Sequence, residues 1–110
     1  MSFVQTSDHV RFDPHKLCKN NLFETPQMFC DLYCLEPGQS QKLHRHSDAA
    51  KFYYVVEGRG RFQVGDAEQT LGKGGLAFSR AGEAHGVVNE SQERLVLLVA
   101  MAPNPNVAAS

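Results

Sequence analysis

Short apolar runs separated by glycine-containing turns recur along the chain from residue 28 onward. The runs cover residues 28–35, 41–46, 51–57, 61–64, 69–71, 76–79, 86–89 and 94–102. Short strands that repeat about every eight to twelve residues are typical of β-sandwiches and β-barrels. A chain of 110 residues has room for one such domain. We therefore predict an all-β fold, either a small barrel or a sandwich.

The two ends of the chain are predicted to lie outside this β-domain. We divide the sequence into an arm of residues 1–27, a β-domain of residues 28–102 and a loose tail of residues 103–110. Within the arm we expect an edge strand in residues 3–12. A short helical turn is predicted to start at Asp13 and Pro14, which suit a helix cap and first turn, and to end at Asn20 and Asn21.

Charge and cysteine content indicate the expected partners and compartment. A net charge of −1 gives no broad cationic surface for nucleic acid or an acidic membrane. Residues 1–8 lack the basic start and apolar segment of a secretory signal, so we expect a cytoplasmic protein. Cys30 and Cys34, on one strand, would lie roughly 13 Å apart, which is too far for a disulfide. With Cys18, we expect them to be small core residues.

Two histidines on one predicted strand are the first candidate for chemistry. His44 and His46 are separated by a single residue, so on a strand both side chains point to the same face. Two imidazoles on one face can share a metal ion, because histidine is the commonest metal ligand near neutral pH. Taken alone, the pair fits equally well as two polar residues on a solvated face.

The pair belongs to a longer pattern that resembles the two signatures of the cupin superfamily. The matching residues are Gly38, His44, His46 and Gly58 for the first signature, and Gly74, Gly82, His85 and Asn89 for the second. The resemblance extends over roughly residues 30–102. It implies a small double-stranded β-helix, a jelly-roll barrel built from two sheets.

The resemblance also implies a metal centre. In the family, the histidines that match His44, His46 and His85 point into the barrel and bind a divalent first-row metal together with a glutamate. Here Lys51 stands at the glutamate position, and Arg80 replaces a turn proline. Three neutral imidazoles suit zinc, ferrous iron, nickel or copper, whereas manganese and magnesium become less favourable without a carboxylate.

Lys51 conflicts with a metal, because an ammonium at ligand distance repels a cation. Three alternatives follow. In the first, which we prefer, residues 47–50 change the alternation of the strand and the lysine points outward. In the second, the lysine lies near the site as a neutral amine or as an anchor for an anionic substrate. In the third, the pocket holds no metal. Asp48, Glu57 and Glu83 are lower-ranked replacements for the missing carboxylate.

The residues that share a strand face with Lys51 define a predicted pocket. The pocket residues are Lys51, Tyr53, Val55 and Phe78, with the face of Met28 and Cys30 as a further wall. Such a cavity, mostly apolar with a few polar groups, suits a small organic ligand.

Two functions remain open for this pocket. One is a metal-dependent enzyme, a dioxygenase with ferrous iron or an isomerase with zinc, acting on a small molecule. The other is a module that holds a metal or small ligand without turnover, since this fold hosts many activities. The apolar run Leu95–Met101 needs cover on its outer face, so we also predict a homodimer with sheet-to-sheet contact.

Overall fold

The computed structural model describes residues 2–106, about half of which lie in β-strands. The strands are β1 (Cys18–Glu24), β2 (Phe29–Leu35), β3 (Ser40–His44), β4 (Ala50–Glu57), β5 (Gly60–Val64), β6 (Ala67–Leu71), β7 (Leu76–Ser79), β8 (His85–Val88) and β9 (Leu95–Ala102). A short 3-10 helix, Thr6–His9, precedes them. Within residues 2–106, none of the helical structure is long and apolar enough to cross a bilayer.

The strands form two antiparallel sheets. The larger sheet has the order β1-β2-β9-β4-β7, and the smaller has the order β3-β8-β5-β6. One core cluster joins them, with Tyr33, Tyr53 and Leu97 from the larger sheet packed with Phe62 and Val87 from the smaller. The predicted all-β, double-sheet barrel is therefore confirmed, because each sheet buries one face against the other.

Strand β9 lies at the centre of the larger sheet, between β2 and β4. Leu95, Leu97 and Val99 point from it into the barrel and are fully buried. On its opposite face, Val96 packs with Leu32 and Cys34. The amino-terminal segment packs on this outer cluster through Phe12, Cys18 and Leu22, so part of the cover that we expected from a second copy comes from the chain itself.

The amino-terminal segment differs from the prediction in the order of its elements. Residues 3–12 contain the 3-10 helix rather than a strand, and the edge strand is β1, Cys18–Glu24. No helical turn starts at Asp13, whose carboxylate accepts a hydrogen bond of 2.8 Å from the backbone N–H of His15 and so holds a bend.

The expected helix-ending residues, Asn20 and Asn21, lie within β1. Asn20 is buried, and its amide donates to the carbonyl oxygen of Arg11 and to the sulfur of Cys34. Its polar side chain therefore has partners beneath the strand, which the sequence pattern does not reveal. The three cysteines are free, and Cys30 and Cys34 are buried as expected.

The segment after β9 folds back onto the barrel. Asn104 is buried, and its amide donates a hydrogen bond of 2.9 Å to the carbonyl oxygen of Thr25. Asn104 therefore anchors the start of the predicted loose tail, while its neighbours Pro103, Pro105 and Asn106 are exposed and residues 107–110 lie outside the described residues.

Gly58 closes the turn between β4 and β5 in a backbone conformation that favours glycine. Its φ is +84°, and a Cβ atom built there would collide with the carbonyl oxygen of Arg94. Gly38 has a similar φ of +85° but open space around a Cβ atom. An alanine at Gly38 would therefore suffer only from the positive φ, whereas an alanine at Gly58 would suffer from the positive φ and from a steric clash.

We expect Gly38→Ala to lower the free energy of unfolding by about 1 kcal/mol, because alanine disfavours positive φ. Gly58→Ala should lower it by about 3 kcal/mol or more, because the Arg94 backbone must also move. Urea unfolding followed by circular dichroism measures both. Equal losses for the two variants would contradict the close approach at Gly58.

Candidate metal centre

Three histidines from distant parts of the sequence meet inside one end of the barrel. His44 ends β3 and lies directly opposite His85, the first residue of β8, in the antiparallel ladder. His46 follows two residues after His44, beyond the strand end. The ring centroids are 4.3 Å apart for His44 and His85, 5.1 Å for His44 and His46, and 5.8 Å for His46 and His85. Each ring offers a nitrogen, and these three atoms lie within 4.8 Å of one another.

Backbone carbonyl groups orient two of the rings. The Nδ1 atom of His44 lies 2.7 Å from the carbonyl oxygen of Lys42, and Nδ1 of His85 lies 3.0 Å from that of Glu83. A ring nitrogen that donates to a carbonyl carries the proton, so the other nitrogen, Nε2, is left with a free lone pair. Metal-binding histidines commonly have this kind of supporting contact.

His85 provides the sharpest test of whether this cluster fits a metal ion. Its side chain is 1% exposed, and its Nε2 atom is buried without a hydrogen-bond partner within residues 2–106. A buried lone pair without a partner is unfavourable and rare in folded proteins. One nitrogen of each of the three rings lies within 4.8 Å of the others, so a cation among the rings would satisfy the buried lone pair of His85. The donor set therefore fits a divalent metal.

No carboxylate in the described part of the chain joins the three nitrogens. Asp48 and Glu57 are exposed. The carboxylate of Glu83 accepts a hydrogen bond of 3.1 Å from the backbone N–H of Arg80, within the loop that precedes His85. That loop keeps its turn without a proline, because the N–H of Glu83 also donates to the carbonyl of Arg80.

Lys51 points into the barrel, and the preferred outward orientation is therefore wrong. It lies on β4 with the same parity as Tyr53 and Val55, and all three are buried. The pairing of β4 with β9 is regular from Ala50 through Val55, so Lys51 stays on the same face as Tyr53 and Val55. Lys51 is 4% exposed, and it lines the same cavity as His44 and His46.

A hydrogen-bond network holds the Lys51 ammonium in place. Its Nζ atom donates to Oε1 of Gln41 at 2.9 Å, and the hydroxyl of Tyr53 donates to the same oxygen at 2.6 Å. The Gln41 amide donates in turn to the hydroxyl of Tyr33 at 3.3 Å. The Nζ atom also lies 4.9 Å from the ring centre of Tyr53 and 5.4 Å from that of Tyr33. These contacts partly replace the water that a buried ammonium loses.

Burial shifts the pKa values of these groups. Burial, with a smaller contribution from the charge of Lys19 and against the opposing charge of Asp31, lowers the pKa of Lys51 to about 7. Burial raises the pKa of Tyr33 to about 12 and also raises that of Tyr53, so neither hydroxyl is a ready base. The pKa of His85 falls to about 4, mainly through burial, with Lys51 contributing.

The cavity in front of the histidines has a volume of about 500 Å³. Its lining residues include Lys19, Phe29, Asp31, Tyr33, Gln41, Lys42, Met101 and Asn106. The wall from β2 is thus its Phe29–Asp31–Tyr33 face, and the expected face with Met28 and Cys30 points outward. Sequence reasoning missed Gln41, because an irregularity in β3 between residues 41 and 44 breaks simple alternation.

The other three predicted pocket residues, Tyr53, Val55 and Phe78, lie in three different environments. Tyr53 is buried beside His85, with ring centroids 6.1 Å apart. Val55 is fully buried in the hydrophobic core, away from the lining of the cavity. Phe78 is 54% exposed on the outer face of β7, because its neighbour Ser79 takes the inward position and contacts Nδ1 of His85. The structure therefore does not bring Phe78 to this cavity.

Comparisons with known proteins agree with this geometry. The family model for the cupin domain matches residues 31–101. A crystal structure of the protein TT1209 from Thermus thermophilus is similar with a TM-score of 0.92 and 42% identity, covering 96% of this chain and 100% of that one. An uncharacterized conserved protein with a double-stranded β-helix domain from Klebsiella pneumoniae has a TM-score of 0.86 and 21% identity, covering 94% and 90%.

A curated relative is similar over a shorter stretch. It is a protein from Thermotoga maritima named oxalate-binding protein, with 29% identity over 84 residues, which is 76% of this chain and 69% of the relative.

We expect the metal-free protein to lose stability as the pH falls from about 6.5 to about 4. In this window the unfolded chain protonates His85 while the folded protein resists protonation, and the depressed pKa values of His44 and His46 act in the same direction. The contribution is fully present above pH 6.5. His85→Gln should remove about 2 kcal/mol of this pH dependence, measured by urea unfolding at pH 7 and pH 4.5 in the presence of a chelator. The same pH slope in both proteins would contradict a buried neutral His85.

Proposed function

This chain belongs to the cupin-domain family, and we propose that it binds a divalent first-row metal through His44, His46 and His85 and holds a small organic molecule beside that metal. The buried Nε2 atom of His85, which has no other partner in the described residues, is the observation that carries the proposal. Zinc, ferrous iron and nickel suit three imidazoles, whereas manganese is less suited because no carboxylate joins them.

The molecule beside the metal would lie in the 500 Å³ cavity, which is large enough for a small organic compound. Phe29 and Met101 supply apolar surface, while Gln41, Tyr33 and Lys51 supply polar groups. The Thermotoga maritima relative is named an oxalate-binding protein, which supports a small-molecule ligand for this chain as well.

An enzyme and a binding module both remain candidates for this site. Three protein ligands leave coordination positions free, so the metal would supply either Lewis acidity or, as ferrous iron, places for oxygen and substrate. This favours an enzyme of the isomerase or dioxygenase type. The second candidate, a non-catalytic binder, is favoured by the scarcity of proton acceptors other than Lys51. Both tyrosine hydroxyls have raised pKa values, and the carboxylate of Asp31 is already bonded to Asn21 at 2.9 Å.

We further propose a cytoplasmic location, since all three cysteines are free and two of them are buried in the fold. A reducing compartment keeps such thiols unpaired.

We expect untagged protein to be purified with about one first-row metal ion per chain, measured by elemental mass spectrometry. His46→Ala should weaken zinc affinity by about tenfold or more, because it removes one of three ligands. His15→Ala is the matched control, since His15 is exposed and lies outside the cluster. Wild-type protein that neither retains nor binds a first-row metal would overturn the proposal.

Oxygen uptake separates a dioxygenase from a non-catalytic binding module. Protein reconstituted with ferrous iron and mixed with small diketones or phenols should consume oxygen above the rate of the His46→Ala variant if it is a dioxygenase. Binding of the same compounds, detected by calorimetry without oxygen uptake or product, would favour the binding module.

We also propose that two copies associate through the outer face of the larger sheet. From β9 to β7, two rows of side chains cross this face, Ala100–Phe52–Phe78 and Leu98–Tyr54–Leu76. Both rows are free of charged residues, and their edge residues Leu76 and Phe78 are more than half exposed. A second copy offers the same apolar face, so the two sheets can cover each other about a two-fold axis.

Leu76→Glu should convert the dimer to a monomer at micromolar concentration, because the carboxylate would be buried in the contact. Sedimentation velocity measures the change. Leu43→Glu is the control, since Leu43 is equally exposed, at 50% against 52%, but lies on the smaller sheet. Monomeric wild-type protein, or equal dissociation by both variants, would contradict this interface.

A further inference from the structure

The cavity beside the three histidines carries an excess of positive charge. Lys19, Lys42 and Lys51 line it, and Asp31 is the acidic residue among the lining residues. One oxygen of Asp31 accepts a hydrogen bond from the neutral amide of Asn21, and the three lysines outnumber this single carboxylate. A bound divalent metal would add further positive charge. A neutral molecule would leave this charge uncompensated, whereas an anion would offset it.

Lys51 is placed and oriented for contact with such an anion. An ammonium has three donors, and Gln41 accepts one of them. The rings of Tyr33 and Tyr53 flank the ammonium and hold it against the cavity wall. If Lys51 swung away from this wall, its ammonium would lose both its acceptor on Gln41 and its contacts with the two rings. Its remaining donors are therefore available to a group inside the cavity.

We propose that Lys51 turns this metal centre into a site for a small organic carboxylate, whose oxygen atoms bind the metal and accept a hydrogen bond from the Lys51 ammonium. The inference rests on the proposed metal site and adds the class of ligand. The anion takes the place that a protein carboxylate would otherwise fill at the metal, and it separates the ammonium from the cation. Metal and carboxylate then stabilise each other's binding.

Two consequences distinguish this role from a purely structural one. Without a carboxylate, Lys51 weakens metal binding by repulsion, so removing its charge should leave metal affinity unchanged or improve it. Removing the same charge should weaken binding of the carboxylate. A lysine that only supports the fold would not produce these opposite effects.

The test uses untagged protein loaded with cobalt(II) at less than one equivalent, so that little free metal competes for the ligand. Acetate, pyruvate, malonate and oxalate are added separately, and the visible absorption bands of the bound cobalt report a change in its ligands. At least one carboxylate should shift the bands of the wild-type protein, whereas acetamide should not. In Lys51→Met and in Lys51→Gln, the dissociation constant of that carboxylate should rise about tenfold or more.

Cobalt affinity is measured in the same proteins without any carboxylate. It should be equal or higher in Lys51→Met, and higher again in Lys51→Glu, which restores an acidic residue at this position; Lys51→Glu should no longer respond to carboxylates. Lys73→Met, an exposed lysine outside the cavity, is the control and should match the wild type.

The outcomes separate this inference from the function on which it rests. Wild-type protein that fails to bind cobalt overturns the metal site itself. Cobalt binding with no response to any carboxylate, or with the same response in wild type and in both neutral variants, overturns the inference alone. A loss of cobalt affinity in both neutral variants, with circular dichroism spectra like that of the wild type, also overturns it, because Lys51 would then support the metal.

Discussion

The pairing of β3 with β8 is the contact on which the candidate site depends. It sets His44 opposite His85, although about forty residues separate them in the chain. The close approach of the two strands depends on Gly86, since a Cβ atom there would meet the Gln41 carbonyl oxygen at 2.9 Å and the Leu43 Cα atom at 3.1 Å. A larger residue would push β3 away and separate the two rings. A glycine beside the histidine is therefore as necessary to the geometry as the ligands.

Lys51 shows how a positive charge is accommodated beside three histidines that suit a metal ion. Loss of water disfavours the ammonium, and the oxygen of Gln41 and two aromatic rings compensate in part. Burial lowers the pKa of all three histidines, and the charge of Lys51 adds to that shift, so both favour the neutral, ligand-competent forms. Lys51 is thus part of a polar network that joins β3 to β4.

The barrel strands were predictable because turn glycines and apolar runs act locally. The meeting of His44, His46 and His85 was predictable only through the resemblance of the spacing to a known pattern. Strand β1 was missed because its Lys-Asn-Asn stretch has no strand signal, and it becomes a strand by pairing with β2. The orientation of Lys51 was misjudged because its acceptor, Gln41, comes from another strand. The outward position of Phe78 follows from the register of β7 on β4, which pairs it with Phe52.

The segment after β9 also has a practical consequence for work on this protein. The hydrogen bond from the Asn104 amide to the Thr25 carbonyl oxygen holds this segment against the barrel. As a result, Pro105 and Asn106 line the cavity that contains His44 and His46. Four residues follow Asn106 in the sequence, a reach of about 14 Å when extended. A polyhistidine tag attached after Ser110 would bring competing imidazoles close to the candidate centre. Cleavage of such a tag before metal analysis would remove these competing ligands and therefore change the measured metal content.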